Sequence, residues 1–375
     1  MSLKQRLPTP TATIDMLAPE FTAPEPATLP TLNPRLLARR LALPAALVVA
    51  AVVGVLVGAG QVHVFADTLR RLEAIEPGWV LAGLAFESIS LVGYVLLLSL
   101  VAGRATPRIR IRESAQITLA GAAATRLLPT AGAGGAALAL WALRRTGLRS
   151  VVAARTLLTF LVVLYAVFLT AIIVSGALLA LGLVHADGPV AMGAIPAAGA
   201  LVAIATCLAL ARARSRRSTS RPGAGPVAGE AAGRMARIRG AAGHLADAVL
   251  DACRLVRSGD RRLAGAAAYW IFDAAVVWTT LHAFGSAPAL PVVALAYFVG
   301  QVANTLPVPG SVSGGMAGVL VAFGVHPEVA LPAVLAYRTI AIWLPLPAAI
   351  AAVAGLRSSV ARWSREDAAA TVPAV

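Results

Sequence analysis

Cysteine is nearly missing from this 375-residue chain, lysine occurs once, and charge of either sign is sparse. The two cysteines, Cys207 in an apolar stretch and Cys253 in a basic one, suggest neither a disulfide framework nor a metal site. Five histidines are scattered, and no His, Cys, Asp or Glu set has metal-ligand spacing. No GxxxxGK[ST] phosphate loop is present and no Ser-His-Asp set can be nominated. Asp67, Glu73 and Glu76 are the acidic residues a membrane glycosyltransferase would want near an outer loop, but they form no motif. The reading is of a protein that is not an enzyme and needs no cofactor.

What the chain has instead is apolar residues, 58% against 13% charged, the balance of a polytopic membrane protein. Its net charge of +15, from 32 basic and 17 acidic residues, would suggest nucleic acid in a soluble domain. In a membrane chain it bears first on sidedness, so no nucleic-acid partner is expected. Residues 1–40 carry scattered prolines and no early apolar run, which predicts a disordered tail rather than a signal peptide.

About 20 apolar residues are needed to cross the hydrocarbon core. Six segments qualify: Leu41 to Gln61, Gly78 to Val101, Val151 to Leu183, Pro189 to Ala211, Leu263 to Phe284 and Ala330 to Gly355. Two further apolar regions, 113–143 and 289–325, are each cut by a Gly/Pro motif. The first is Leu128-Pro129-Thr130-Ala131-Gly132-Ala133-Gly134-Gly135, and the second Leu306-Pro307-Val308-Pro309-Gly310-Ser311-Val312-Ser313-Gly314-Gly315. An Arg-Thr pair follows each, Arg155-Thr156 and Arg338-Thr339. The first region's limbs would reach only about 24 and 20 Å at 1.5 Å per residue, so each region reads as a helical hairpin entering and leaving on one side. Two short full spans per region would leave every loop on the same side. Irregular backbone at membrane depth is tolerated only where it is buried in protein or lines a wet cavity.

With the N-terminus inside, 27 of the 32 basic residues fall on the cytoplasmic side and two, Arg70 and Arg71, outside, as short loops require. Arg126, Arg155 and Arg338 remain in membrane segments. The two hairpins then open to opposite sides, the geometry of an inverted repeat. The match is imperfect, with 20 residues from Gly135 to Arg155 and 23 from Gly315 to Arg338. The expected organisation is a cytoplasmic tail (1–40), a first membrane half (41–211), a basic cytoplasmic loop (212–262), a second half (263–356) and a second cytoplasmic tail (357–375). The fold class is an all-α polytopic membrane protein of six full spans and two broken re-entrant hairpins, placed in the cell membrane with both termini cytoplasmic.

Within the basic loop, Met235, Ile238, Ala242, Leu245, Val249, Ala252 and Val256 recur every three or four residues. This predicts an amphipathic helix at the interface, attracted to anionic headgroups, or a solvated connector.

Trp270-Ile271-Phe272-Asp273, Ala283-Phe284-Gly285, Asn304-Thr305-Leu306-Pro307-Val308-Pro309-Gly310, Gly314-Gly315, Ala336-Tyr337-Arg338 and Trp343-Leu344-Pro345 together resemble the flippase-like family. That family is the transmembrane region of lysylphosphatidylglycerol synthases, found alone or fused to an aminoacyl-transferring domain. The resemblance runs from about Leu41 to Leu356 and implies a membrane protein handling lipid. It departs at the second loop, where Ser313 stands in place of the family's usual Glu, and with only about twenty residues after the last span, lipid aminoacylation by this chain is not expected.

Charged groups in hydrocarbon are costly and are functional candidates by default. Arg338 is expected to hold a lipid phosphate through its planar fork, or to pair with Asp273 or Glu87. For Glu87 and Asp273 the readings are helix-gluing ion pairs or proton or cation coupling. Arg155 can snorkel or pair near the cytoplasmic end. Arg126, Pro129, Gly132, Gly134, Gly135, Asn304, Pro307, Pro309, Gly310, Gly314 and Gly315 are expected to expose backbone to a headgroup, with close helix packing as the alternative. Trp79, Trp270, Trp278 and Trp343 read as packing or interface aromatics. The function expected is movement between leaflets of a lipid with an anionic or phosphate headgroup. Its drive would be the membrane potential, a proton or the lipid gradient. The alternative is a non-transporting accessory that binds lipid for a separate synthase or glycosyltransferase.

Overall fold

A computed structural model describes residues 76–127, 133–220, 230–303 and 310–370, with backbone alone at 126, 127, 133, 217–220 and 230–239. Among the described residues the chain is all helix and turn, with no strand. The helices are α1 (Pro77–Ala105), α2 (Ile111–Leu127), α3 (Ala133–Arg145), α4 (Ser150–Ala180), α5 (Val190–Ser220), α6 (Glu230–Arg257), α7 (Ala264–Ala283), α8 (Leu290–Val302), α9 (Ser311–Ala322), α10 (Pro327–Trp343) and α11 (Pro345–Ala370). Five helical segments are long and apolar enough to cross a membrane: Pro77–Ala105, Ser150–Ala180, Val190–Arg216, Arg261–Ala283 and Pro327–Ala370. They coincide with five of the six expected spans. The other, Leu41 to Gln61, and the tail 1–40 lie outside the described residues.

Local chemistry sets the helix ends. Proline opens α1, α8 and α10 at the first helical positions, where its missing N–H costs nothing. Helices α4, α7 and α9 end alike: the amides of Leu183, Ser286 and Val325 donate to the carbonyls of Leu178, Leu281 and Leu320, five residues back. A left-handed glycine, Gly182, Gly285 or Gly324, precedes each of these donors, the Schellman arrangement. Pro345 divides the expected span Ala330 to Gly355 into two helices, α10 and α11, because proline cannot donate into the preceding turn. Beyond Gly355 the chain is not a loose tail. Helix α11 continues to Ala370 and buries Leu356, Ser359, Val360 and Trp363.

Four helix pairs meet through glycine. A Cβ on Gly93 of α1 would lie 2.7 Å from the Gly265 carbonyl oxygen of α7, and one on Gly176 of α4 would lie 2.4 Å from the Gly193 carbonyl oxygen of α5. Gly135 of α3 sits against Gly121 of α2, and Gly315 of α9 against Gly300 of α8, whose Cα would be 3.3 Å from the added carbon. Without a hydrophobic driving force between helices in lipid, such close approach is what packing uses. Thus α2 with α3, and α8 with α9, are two helical hairpins of short limbs.

The remaining contacts place the hairpins. The first limb α2 lies on α11, with Gln116 accepting from Ser359 at 2.9 Å and Glu113 taking Arg362 at 3.1 Å. The first limb α8 lies on α4, while α10 packs on α7 and α9. The basic segments gather at one end. Arg104 meets Asp260 at 3.8 Å, Arg108 meets Asp367 at 2.5 Å and donates to the Thr146 carbonyl at 3.2 Å, and Arg214 meets Asp247 at 3.2 Å. At the other end Gly188 lies against the Phe323 ring, and Gly324 lies near the Asp187 carbonyl. The connections flanking the first hairpin belong to the basic end and those flanking the second to the opposite end.

Helix α6 is the expected amphipathic helix, but its apolar face is used by the protein itself. Ala246, Ala248, Val249, Ala252 and Leu255 are buried where α6 packs on α4 and α5. The heptad-like reading slips at its end, where Leu255 is buried and Val256 is 60% exposed. From Ala246 to Leu255 tertiary packing covers this stripe, while the side chains of Met235 and Ile238 lie outside the described residues.

Candidate functional site

Two carboxyl groups lie deep in the α1/α7 pair. Gly83 faces Val276 and Thr279, and Gly93 faces Gly265 and Tyr269, so α1 and α7 run antiparallel with Glu87 and Asp273 between the same two crossing points. The Phe86 and Phe272 rings, one residue away on each helix, meet at 5.5 Å. Glu87 is 1% exposed and Asp273 2%. The backbone nearby is tied by Ser90, whose hydroxyl donates to the Tyr269 carbonyl at 2.9 Å.

Asp273 does not pair with arginine. The Tyr297 hydroxyl of α8 donates to its Oδ2 at 2.5 Å, while Oδ1 is buried without a hydrogen-bond partner among the described residues. Tyr297 stacks edge-on at 6.1 Å from Tyr337 of α10, and Tyr337 in turn accepts from Gln301 Nε2 at 3.2 Å. A path of polar side chains therefore runs Asp273, Tyr297, Tyr337, Gln301, hydrogen-bonded at its two ends and joined in the middle by a ring contact alone, and it ends at the last turn of α8, the tip of the second hairpin's first limb. An aromatic wall of Phe168, Trp270 and Phe298 encloses it, with the Trp270 indole donating to the Leu164 carbonyl at 2.8 Å.

Sequence reasoning singled out Asp273 and missed Tyr297, Gln301 and Tyr337. The available signal was the spacing of Tyr297 and Gln301, four residues apart and hence on one helix face, in an otherwise apolar segment.

Arg338 follows Tyr337 on α10 and is half-buried. Among the described residues it makes no ion pair or hydrogen bond, so the expected pairing with Asp273 or Glu87 is not formed. Arg155 pairs instead with Asp251 of α6, Nε to Oδ2 at 2.5 Å. The two Arg-Thr pairs are thereby unequal. Arg155 lies in the second turn of α4 and reaches the basic end, whereas Arg338 lies eleven residues into α10.

The glycines divide into two kinds. Gly135 and Gly315 are packing residues, and the Gly135 amide donates to Thr125 Oγ1 at 3.0 Å. Gly310 has φ +82°, and an added Cβ would meet nothing within 4 Å there or at Gly314. Gly310 is thus held by backbone conformation rather than by space. Gly134 is helical. Pro129, Gly132, Asn304, Pro307 and Pro309, and the side chain of Arg126, lie outside the described residues. Trp270 is buried in packing, Trp79 and Trp278 stack at 5.5 Å, and Trp343 is 65% exposed.

At the basic end the electrostatics are those of paired surface charges. The Arg262 side chain and amide hold the Asp260 carboxyl down to about 2. This depressed acid favours the folded state above the ordinary carboxylate range, an effect lost as pH falls through its folded value.

The family described as the lysylphosphatidylglycerol synthase TM region matches residues 42–349. No curated protein matches the chain. With most of its length matched, the chain belongs to that family and is a multi-pass membrane protein.

Proposed function

From its place in the lysylphosphatidylglycerol synthase TM region family, we propose that this protein moves a lipid with an anionic or phosphate headgroup between leaflets without itself catalysing a covalent step. The observation that carries the reading is Arg338, a half-buried guanidinium with no ion pair or hydrogen bond among the described residues. Leaving such a charge in a membrane helix costs about 2.5–3.5 kcal/mol on insertion scales, and its planar donors match a phosphate.

The packing supports an inverted repeat. Helices α1 to α4 and α7 to α11 run in a similar order, a long helix, a short-limbed hairpin and a closing segment, which is one long helix (α4) in the first unit and the pair α10 and α11 in the second. Each first limb lies on the other unit's last helical segment, α2 on α11 and α8 on α4, and the two opening helices pair with each other. In this reading both hairpins re-enter from opposite sides, the basic end is cytoplasmic, and the two units rock about the polar path.

Sidedness is checked by labelling in a chain whose Cys207 and Cys253 are replaced by Ser. Cysteine at Ser286 or His326 should react with an impermeant reagent from outside, and cysteine at Arg149 or Ser220 should not. The reverse pattern would remove the topology.

The function is tested with purified protein in phosphatidylglycerol vesicles carrying a trace of fluorescent phosphatidylglycerol, by quenching from one side. Accelerated exchange supports transport. Co-purified lipid without exchange, for any anionic or polyprenyl-phosphate lipid tried, supports instead an accessory that presents lipid to a separate synthase or glycosyltransferase. Gly310→Leu should slow exchange while leaving the helical content unchanged, because a φ of +82° costs a branched side chain about 1–2 kcal/mol. Gly310→Asn, which tolerates that conformation, should be milder.

A further inference from the structure

Asp273 is a carboxyl group supplied with one hydrogen bond where an ionised carboxylate would want several. Its Oδ2 takes the Tyr297 hydroxyl, its Oδ1 is buried with no partner among the described residues, and the residue is 2% exposed. An anion so poorly solvated is disfavoured in a membrane interior, whereas the neutral acid needs little more than Tyr297 provides. Yet the group lies at one end of the path Asp273, Tyr297, Tyr337, Gln301, which leads to the tip of a hairpin.

The charged or titratable side chains on the elements packed against α7 are Glu87, Tyr94 and Arg104 of α1, Tyr165 and Arg155 of α4, Tyr297 of α8, Tyr337, Arg338 and Glu328 of α10, and Arg261 and Arg262 of the short 3-10 turn; Arg104 meets Asp260 at the basic end. Arg155 is engaged by Asp251 and Arg262 by Asp260 at the basic end. No described arginine or lysine forms an ion pair with Asp273. Among the described residues, therefore, no ion pair fixes it in the ionised form.

Resting on the lipid-transport reading above, we propose that Asp273 is the proton-carrying residue of the transport cycle, loaded from one side and unloaded to the other. In the arrangement described, the proton sits on the Asp273 carboxyl and Tyr297 donates to Oδ2. When the two units rock and water reaches the path, the carboxyl O–H bond breaks, its electron pair stays on the oxygen, and the proton passes to water. The ionised carboxylate is then stable only in the hydrated state. Reprotonation from the other side allows the dry state to return. Tyr297 is a positioning residue, because it orients the carboxyl and holds it by one hydrogen bond.

The experiment has two arms on the full-length protein. In phosphatidylglycerol vesicles, a gradient of about one pH unit should bias the distribution of the fluorescent phosphatidylglycerol between leaflets by up to about tenfold, the ratio that one proton supplies. Asp273→Asn should lose the bias, and Asp273→Glu should keep it. In the second arm, infrared difference spectra of the protein between acid and alkaline pH should contain a protonated-carboxyl band that disappears in Asp273→Asn and moves in Tyr297→Phe.

Exchange that ignores the gradient in the unmodified chain overturns the proposal and leaves the transport reading standing. A band that is pH-insensitive or unaffected by Asp273→Asn also overturns it. If the Asp273 band titrates but lipid does not move under any gradient, it is the transport reading that fails while proton binding at Asp273 stands. A bias that follows a sodium gradient and not pH assigns the site to a cation and overturns the proton.

Discussion

Arg338→Gln should lower lipid exchange by about 10- to 100-fold, the loss expected when a hydrogen bond to a charged group worth about 1.5–3 kcal/mol is removed. Arg338→Lys should recover part of it, since charge is kept and the planar fork is not. The fold should be unaffected, because among the described residues no side chain relies on this guanidinium for an ion pair. Paired with Asp273→Asn, the double variant should show the product of the two separate effects, since Asp273 is bonded to Tyr297 and not to Arg338. The measurement is the vesicle exchange rate of the four proteins at equal incorporation. A double variant less impaired than that product would reveal an ion pair formed in another state of the cycle.

Gly265→Val should prevent the bundle from assembling. A Cβ there would lie 2.3 Å from the Gly93 carbonyl oxygen and 3.2 Å from the Leu97 amide nitrogen, so the obstacle is backbone on a partner helix and no rotamer relieves it. The cost should exceed the ~1–3 kcal/mol usual for overpacked cores. The loss of a monodisperse peak in detergent and a lower thermal midpoint would register it. Gly199→Ala, on an exposed face of α5 where an added Cβ meets nothing within 4 Å, should be silent or slightly stabilising, since alanine is the better helix former by about 1 kcal/mol. Equal damage from both substitutions would mean that the α1/α7 glycines have no special place.

Much of the architecture could be read along the chain, because crossing a bilayer demands long apolar helices and leaves basic loops behind. The five described spans, the two short-limbed hairpins and the gathering of Arg104, Arg108 and Arg214 at one end all follow from such one-dimensional requirements. The membrane class was legible for the same reason, whereas the family was legible from local motifs such as Trp270-Ile271-Phe272-Asp273 and Ala336-Tyr337-Arg338.

Partnership between distant residues was not. That Glu113 takes Arg362, that Asp251 rather than a membrane acid takes Arg155, and that α6 spends its apolar face on α4 and α5 depend on which helices become neighbours. Sequence flagged Asp273 as costly and offered either an ion pair with arginine, since opposite charge is the obvious remedy in hydrocarbon, or proton or cation coupling. The tertiary structure supplied a tyrosine hydroxyl from α8 instead and left Arg338 without an ion pair among the described residues. Composition and hydropathy alone determined that this chain crosses a membrane several times with buried charge. Which charge is paired, which is left without an ion pair among the described residues, and which glycines are helix contacts was decided by helix packing, because those outcomes depend on ångström-scale distances between segments far apart in the chain.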